Sequence, residues 1–400
     1  MGFAPLFKPK CIPVHVSALE NLVIRRFRMF PELDFGPFQD VNLFFGPNNS
    51  GKTAALEAVV RLGEPHPQQW RFGSQLRASS LNQRGRLNEV DAVASQFNRP
   101  RLEPAAFGRQ FDGQMELRGS SGEFVTASYD ARTVAVPPAM LTRRANEQMS
   151  SGDPNEPVPV RVLLLRIESH EGPFDEVFAD LPLGQYASVE IERHFAEAFG
   201  RSSSESRNKF RVSHRKDGTQ VVGASGLTHD EAGMWTSLDR DYKSDLARKL
   251  MHEFDPRIQD IRVFSDRGKA HLWALVDDSW LPSEALGQGL RRALEMAGCL
   301  VRARGTRLVI DELELGLHAW VTPKVATWLV RAARDLRVQL FISTHSLDVI
   351  DGILKASKDT GTGLTAFRMR DAAAPKLQPE VMSGTRLHEL RHELGREVRA

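Results

Sequence analysis

Cysteine is almost missing from this chain: Cys11 and Cys299 are the only two among 400 residues. Two thiols build neither a disulfide framework nor a four-thiolate zinc site, so the fold has to rest on an apolar core. Long hydrophobic runs are missing as well, and no uninterrupted apolar stretch approaches the ~18–20 residues of a membrane-spanning helix. Met1–Pro13 carries prolines and lysines where a signal peptide has an apolar segment, which leads us to expect a cytoplasmic protein without membrane partners. Nor does one sign of charge dominate. The 53 basic and 51 acidic residues leave a formal net charge of +2, which argues neither for nor against nucleic acid. No internal repeat is evident, and no heptad pattern persists long enough to support a coiled-coil arm. What is present is the make-up of a globular enzyme, 41% hydrophobic and 26% charged. The length exceeds the ~250–300 residues at which single cores stop growing, so at least two lobes are expected.

The most informative segment is Gly46-Pro47-Asn48-Asn49-Ser50-Gly51-Lys52-Thr53, which fits the phosphate-binding pattern G-x-x-x-x-G-K-[ST]. An apolar run, Val41–Phe45, leads into it, and a helix-like run from Thr53 and Ala54 to Val60 leads out. In that context the glycines let the backbone curl so that N–H groups point at phosphate oxygens, while the helix presents its positive end. Lys52 then reaches the β- and γ-phosphates and the Thr53 hydroxyl ligates Mg²⁺, so ATP and Mg²⁺ are the expected ligands.

Ahead of this loop, short apolar segments broken by Pro31, Gly36 and Pro37 read as strands and turns. Residues 63–160 are rich in Pro, Gly, Gln, Ser and Arg, with strand-like patches at Gln114–Arg118 and Glu123–Tyr129; Arg143–Pro159 reads as a mobile loop. A strand is expected at Val160–Ile167, helices at Gln185–Gly200 and Leu238–Phe254, and strands at Ile258–Ser265 and Ala270–Asp277. The last third alternates: helix 290–304, strand 307–311, helix 320–336, strand 338–343, helix 347–356, strand 364–369, helix 385–398. Such alternation predicts a mainly parallel sheet.

Within it, Leu308-Val309-Ile310-Asp311-Glu312 reads as a buried strand tipped by two carboxylates, at the edge where parallel sheets carry function. Asp311 suits Mg²⁺, and Glu312 suits orienting or deprotonating a water; adjacent acids at a strand end also read as a solvated turn. Thirty-four residues on, His345 stands at the end of the strand-like run Gln339–Ser346. It reads either as a contact for the γ-phosphate or as a helix-capping neighbour of Ser346.

Taken together, GPNNSGKT, the segment Leu281–Ala297, Leu308–His318 and Leu340–Asp351 resemble the ABC-type ATPases of the SMC-like and OLD-like branch, cytoplasmic switch ATPases that handle DNA or serve in phage defence. Leu22–Arg28 resembles that branch's opening strand. The resemblance implies a P-loop ABC-type head, α/β, with a mixed sheet flanked by helices and a large α+β insertion. The halves would be residues 1–62 and 280–400, with 63–279 inserted between them. It implies an ATP-dependent homodimer in which Gly287, Gln288 and Gly289 offer N–H groups to the γ-phosphate held by the partner subunit. It also implies a protein effector encoded nearby and makes DNA a candidate partner. Gly287 stands where the branch's signature has serine, which leaves a nucleotide-gated scaffold with slow or no hydrolysis as an alternative. His318 stands where many transporter subunits carry aspartate, which disfavours a transporter role. Gln68 or Gln69 is the guess for the glutamine that links nucleotide to the moving lobe.

Other signals are read as ordinary. His388-Glu389-Leu390-Arg391-His392 matches the zinc pattern H-E-x-x-H, but Leu387, Leu390, Leu394 and Val398 at helical spacing read as an amphipathic terminal packing helix. Asp277-Asp278 reads as a turn. Arg25-Arg26-Arg28, Arg143-Arg144 and Arg291-Arg292 suit either DNA phosphates or solvated faces.

Overall fold

The structure is a computed structural model that describes residues 18–63, 65, 93–94, 96–97, 111–120, 122–136, 158–179, 219–223, 231–266, 269–370 and 378–393. The expected helix 185–200, the pair Arg143-Arg144, and Gln68 and Gln69 lie outside the described residues.

In chain order the described elements begin with β1 (Leu22–Phe27), β2 (Phe30–Phe35), β3 (Val41–Phe45) and α1 (Lys52–Gly63). Four long strands follow, β4 (Phe111–Gly119), β5 (Phe124–Val136), β6 (Val158–Ser169) and β7 (Gly172–Ala179), then the short β8 (Gln220–Val222). Helices α2 (Glu231–Arg240) and α3 (Ser244–Phe254) precede β9 (Ile258–Asp266), β10 (Lys269–Val276) and β11 (Ser279–Pro282). The chain closes with α4 (Gln288–Arg302), β12 (Arg307–Ile310), α5 (Thr322–Leu336), β13 (Gln339–Thr344), α6 (Leu347–Thr360), β14 (Leu364–Arg368), β15 (Glu380–Ser383) and α7 (Gly384–His388).

Three sheets result. The central one runs β15-β14-β3-β13-β12-β8, parallel throughout except for the edge strand β15. Its inner strands β3, β12 and β13 are buried on both faces, so they read in sequence as mostly apolar runs. Alternate side chains then serve two cores. Leu43, Ile310, Ile342 and Ala366 face one that includes α2–α6, while Phe44, Val309, Phe341 and Phe367 face one built around α1. Phe44 and Phe367 stack at 4.8 Å in that second core. The antiparallel sheet β2-β1-β4-β5-β6-β7 covers α1 from the other side, so nearly every α1 side chain is buried. Strands from residues 111–179 therefore extend a sheet that β1 and β2 begin, and β8 joins the central sheet beside β12. The third sheet, β11-β10-β9, packs on α2 and α3.

Two expected helices come out differently. The continuous helix 238–254 is interrupted, because the chain turns at Asp241–Lys243 with exposed Tyr242 at φ 57° and Lys243 N–H bonded to Leu238 O at 2.8 Å. That left-handed closure needs no glycine, so no breaker marks it. The terminal helix is α-helical only over Gly384–His388 and continues as a π-turn over Glu389–Glu393; residues 394–400 lie outside the described part.

Candidate nucleotide site

Parallel register brings three strand ends to one edge. Phe45 pairs with Thr344 and Ile342 with Ile310, so Gly46, His345 and Asp311 all leave the sheet on the same side. The loop after β3 curls because Gly46 has φ 140° and Gly51 φ 93°, values that L side chains rarely adopt. Space enforces the choice. A Cβ at Gly46 would meet Met369 O at 2.3 Å, and one at Gly51 would meet Met29 Sδ at 2.7 Å. Pro47, Asn48 and Asn49 are exposed, Asn49 at φ 61°, whereas Ser50 is buried and its Oγ has no hydrogen-bond partner among the described residues. Ala54 is buried in the first turn of α1.

Lys52 is buried, and its ammonium donates to Gly46 O at 3.0 Å and Pro47 O at 2.7 Å. Burial pushes it down to about 8, against the opposing pull of Asp311, Glu312 and Glu314. Thr53 Oγ1 stands 3.0 and 3.3 Å from the two oxygens of Asp311. Asp311 is itself buried. Burial raises its pKa, the hydrogen bonds from Ser343 and Thr53 lower it, and the neighbouring charges of Glu312 and Glu57 raise it further. Glu312 sits at φ 49° with its carboxylate half exposed, its Oε1 3.8 Å from His345 Nε2.

The residues fit a metal-bound phosphate. The donor set at Thr53 and Asp311 is all oxygen, as Mg²⁺ prefers, and a divalent cation would relieve the cost of a buried carboxylate. The orphaned Ser50 hydroxyl and an ammonium occupied only by loop carbonyls are groups that an anion in the curl would engage. Lys52, Thr53, Asp311, Glu312 and His345 thus share one neighbourhood. Gly287, Gln288 and Gly289 stand elsewhere, at the start of α4, where Gly287 and Gln288 are exposed and a Cβ at Gly316 would meet Gln288 Cβ at 3.8 Å.

Residues that motif reading passed over complete the site. Ser343 Oγ donates to Asp311 Oδ1 and accepts the Glu312 N–H at 2.8 Å, while Leu313 N–H reaches Ser343 O at 3.1 Å. Glu314 binds the backbone of His345. Arg292, read as a candidate for DNA phosphates, is instead buried, with Gly223 O at 2.7 Å, Glu295 Oε2 at 3.3 Å and Asp311 O at 3.3 Å. Arg28 pairs with Glu57 at 2.7 Å and Arg291 with Glu231 at 2.8 Å, while Arg25 stays exposed, paired with Glu32 and Glu116 at 3.3 and 3.2 Å. Only Ser343 left a readable trace, in the hydroxyl-rich run Ser343-Thr344-His345-Ser346. The H-E-x-x-H segment is engaged otherwise: Arg391 and His392 both contact Asp351, at 3.1 and 3.4 Å.

A strand, a glycine-curled loop and a helix beside a carboxylate-tipped strand define a P-loop nucleoside-triphosphatase head. Comparison with known proteins narrows the class. A family model described as "AAA domain, putative AbiEii toxin, Type IV TA system" matches residues 164–351. DNA replication and repair protein RecF of Idiomarina loihiensis is 30% identical over 118 residues, 30% of this chain and 30% of that protein. The match thus spans under a third of that relative's length. Uncharacterized protein MJECL11 of Methanocaldococcus jannaschii is 30% identical over 115 residues, 28% of this chain and 99% of that protein. An Smc head domain with an extended coiled coil, bound to the C-terminal domain of ScpA derived from Pyrococcus furiosus, aligns at 11% identity over 94% of this chain and 99% of that one. Its TM-score of 0.43 is too low to define a fold by itself. The family model and the RecF relatives support an ABC-type ATPase related to RecF.

Proposed function

We propose that this chain is a cytoplasmic, Mg²⁺-dependent ATP hydrolase that dimerises on ATP and passes that closure to a DNA-processing or anti-phage effector. The observation that supports it best is the approach of Thr53 Oγ1 to Asp311, 3.0 Å across 258 residues of sequence, beneath a buried lysine. Buried charge gathered at one sheet edge is what a shared ligand set requires, and it supports this reading. The relatives named RecF motivate DNA as the context.

In this reading the Gly46–Lys52 backbone and Ser50 hydroxyl grip phosphate oxygens, and Lys52 exchanges its loop carbonyls for them. Thr53 and Asp311 hold Mg²⁺, which when bound neutralises charge building on the β- and γ-phosphates. Glu312 accepts the proton of the attacking water, held beside His345, which contacts the γ-phosphate. The exposed Gly287-Gln288-Gly289 turn offers N–H groups to the nucleotide of a second copy, and residues 63–279 are the lobe that carries partner specificity.

Purified protein is expected to hydrolyse ATP, Lys52→Ala to lose binding, and Glu312→Gln to bind while turnover falls by about 10²-fold or more. Wild-type protein that neither binds nor hydrolyses ATP overturns the reading. Gly287, lacking the signature hydroxyl, favours one second reading, a nucleotide-gated scaffold. ATP-driven dimerisation with phosphate release no faster than in Lys52→Ala would select it.

A further inference from the structure

We infer that Glu314 is a positioning residue for hydrolysis: its carboxylate locks the loop after β12 onto the loop after β13 and so sets His345 against Glu312. The inference rests on the nucleotide reading above, and it concerns a residue to which no motif gives a role.

Beyond Ile310 and Ile342 the two strands no longer pair in register, so Glu312 and His345 ride on loops rather than on that ladder. Besides the bonds from Glu312 N–H and Leu313 N–H to Ser343, Glu314 ties these loops together. Its Oε1 accepts the backbone N–H of His345 at 2.5 Å, and its Oε2 accepts the Thr344 hydroxyl at 2.8 Å. Thr344 Oγ1 in turn accepts the Ser346 N–H at 2.9 Å. Three consecutive residues of the histidine turn are thereby tied to one side chain two positions beyond Glu312. Bonds to an ionised acceptor are about twice as strong as neutral ones, and Thr344 is fully buried, so the network is held where water competes little. The result is the 3.8 Å spacing between Glu312 Oε1 and His345 Nε2.

Glu314 also begins the segment that reaches the signature turn. Its carbonyl accepts the Leu317 N–H at 3.0 Å, Gly316 lies against Gln288, and Leu315 and Trp320 are 41% and 81% exposed. Whatever displaces this exposed segment therefore pulls on the carboxylate that holds His345. The two halves of the proposed cycle, contact at the 315–320 segment and hydrolysis, meet at this residue.

The test uses the full chain in two readouts. In ¹⁵N-histidine-labelled, nucleotide-free protein, Glu314→Gln is expected to move the His345 amide proton upfield while the amides of His252 and His271 stay in place; an unmoved His345 amide overturns the lock. In ATP turnover, Glu314→Ala is expected to lower kcat by about tenfold or more, with KM for ATP changed less than about twofold, and Glu314→Gln to recover part of the loss by keeping one acceptor. In a His345→Ala background the same substitution is expected to cost nothing further. Equal losses in both backgrounds, a parallel rise in KM, or a lowered Tm with kcat unchanged each overturn the positioning role. If wild-type protein shows no turnover at all, the nucleotide reading fails, and the amide resonance alone decides Glu314.

Discussion

Lys52 and Asp311 are both buried at charges that burial disfavours; Asp311 relieves part of the cost at Lys52, and hydrogen bonds from Ser343 and Thr53 relieve part of the cost at Asp311. With the Lys52 pKa at about 8, below its ordinary value of 10.5, the cost of burying the cation is present in full below pH 8. It is relieved as pH rises from 8 towards 10.5, because the unfolded chain then binds the proton that the folded chain has released. Nucleotide phosphate reverses this preference. ATP affinity is expected to stay level below about pH 8 and to fall above it, towards tenfold per pH unit, as Lys52 must regain a proton on binding. Titration of a fluorescent ATP analogue from pH 7 to 10 measures the slope, and Lys52→Arg, which stays charged, is expected to flatten it. The glycine-lysine spacing made Lys52 and Thr53 legible in the sequence, because the curl needs those residue types at those positions. The roles of Glu314 and Arg292 were not legible, and Ser343 left no more than a hydroxyl-rich run. Their roles come from hydrogen bonds across 19 to 32 residues, and serine, glutamate and arginine have no pattern that announces such a partner.

At the scale of elements, α4 carries the buried arginine that links its own first turns to the end of β12 and to the residue after β8. Burial lowers the Arg292 pKa, opposed by Glu295, so the pair is held together in a place neither charge would occupy alone. Arg292→Ala removes the salt-bridge partner of buried Glu295 together with the bonds to Gly223 O and Asp311 O, and is expected to cost about 3–5 kcal/mol in urea denaturation. Replacing both residues with methionine is expected to cost much less, since no uncompensated charge remains. Helix and strand identities in the last third followed from periodicity, since β12 and β13 are apolar runs too short for helices, and α5 and α6 show apolar faces at helical spacing. The break between α2 and α3 did not. It is made by Tyr242 in a left-handed turn, which an exposed tyrosine does not signal.

For the molecule as a whole, the exposed turn at Gly287 is the natural place to test dimerisation. A Cβ there meets nothing within 4 Å and φ is an ordinary −59°, so Gly287→Arg is expected to fold and to bind nucleotide as a monomer. Combined with Glu312→Gln, it is expected to remain monomeric with Mg²⁺ and ATP in light scattering, where Glu312→Gln alone dimerises. A dimer in both removes the signature role from this turn. No described helix is long and apolar enough to cross a membrane.

By itself the sequence determined the glycine-curled loop, the carboxylate-tipped strand and the alternation that makes a parallel sheet. Each is a local rule of spacing, backbone freedom or apolar period that neighbouring residues satisfy among themselves. The tertiary structure alone decided that β4–β7 continue the sheet begun by β1 and β2, that β8 flanks β12, and that Arg292 is buried. Pairing between distant strands and ion pairing under a helix depend on which surfaces meet, and that is settled only when the two cores on either side of the central sheet close together.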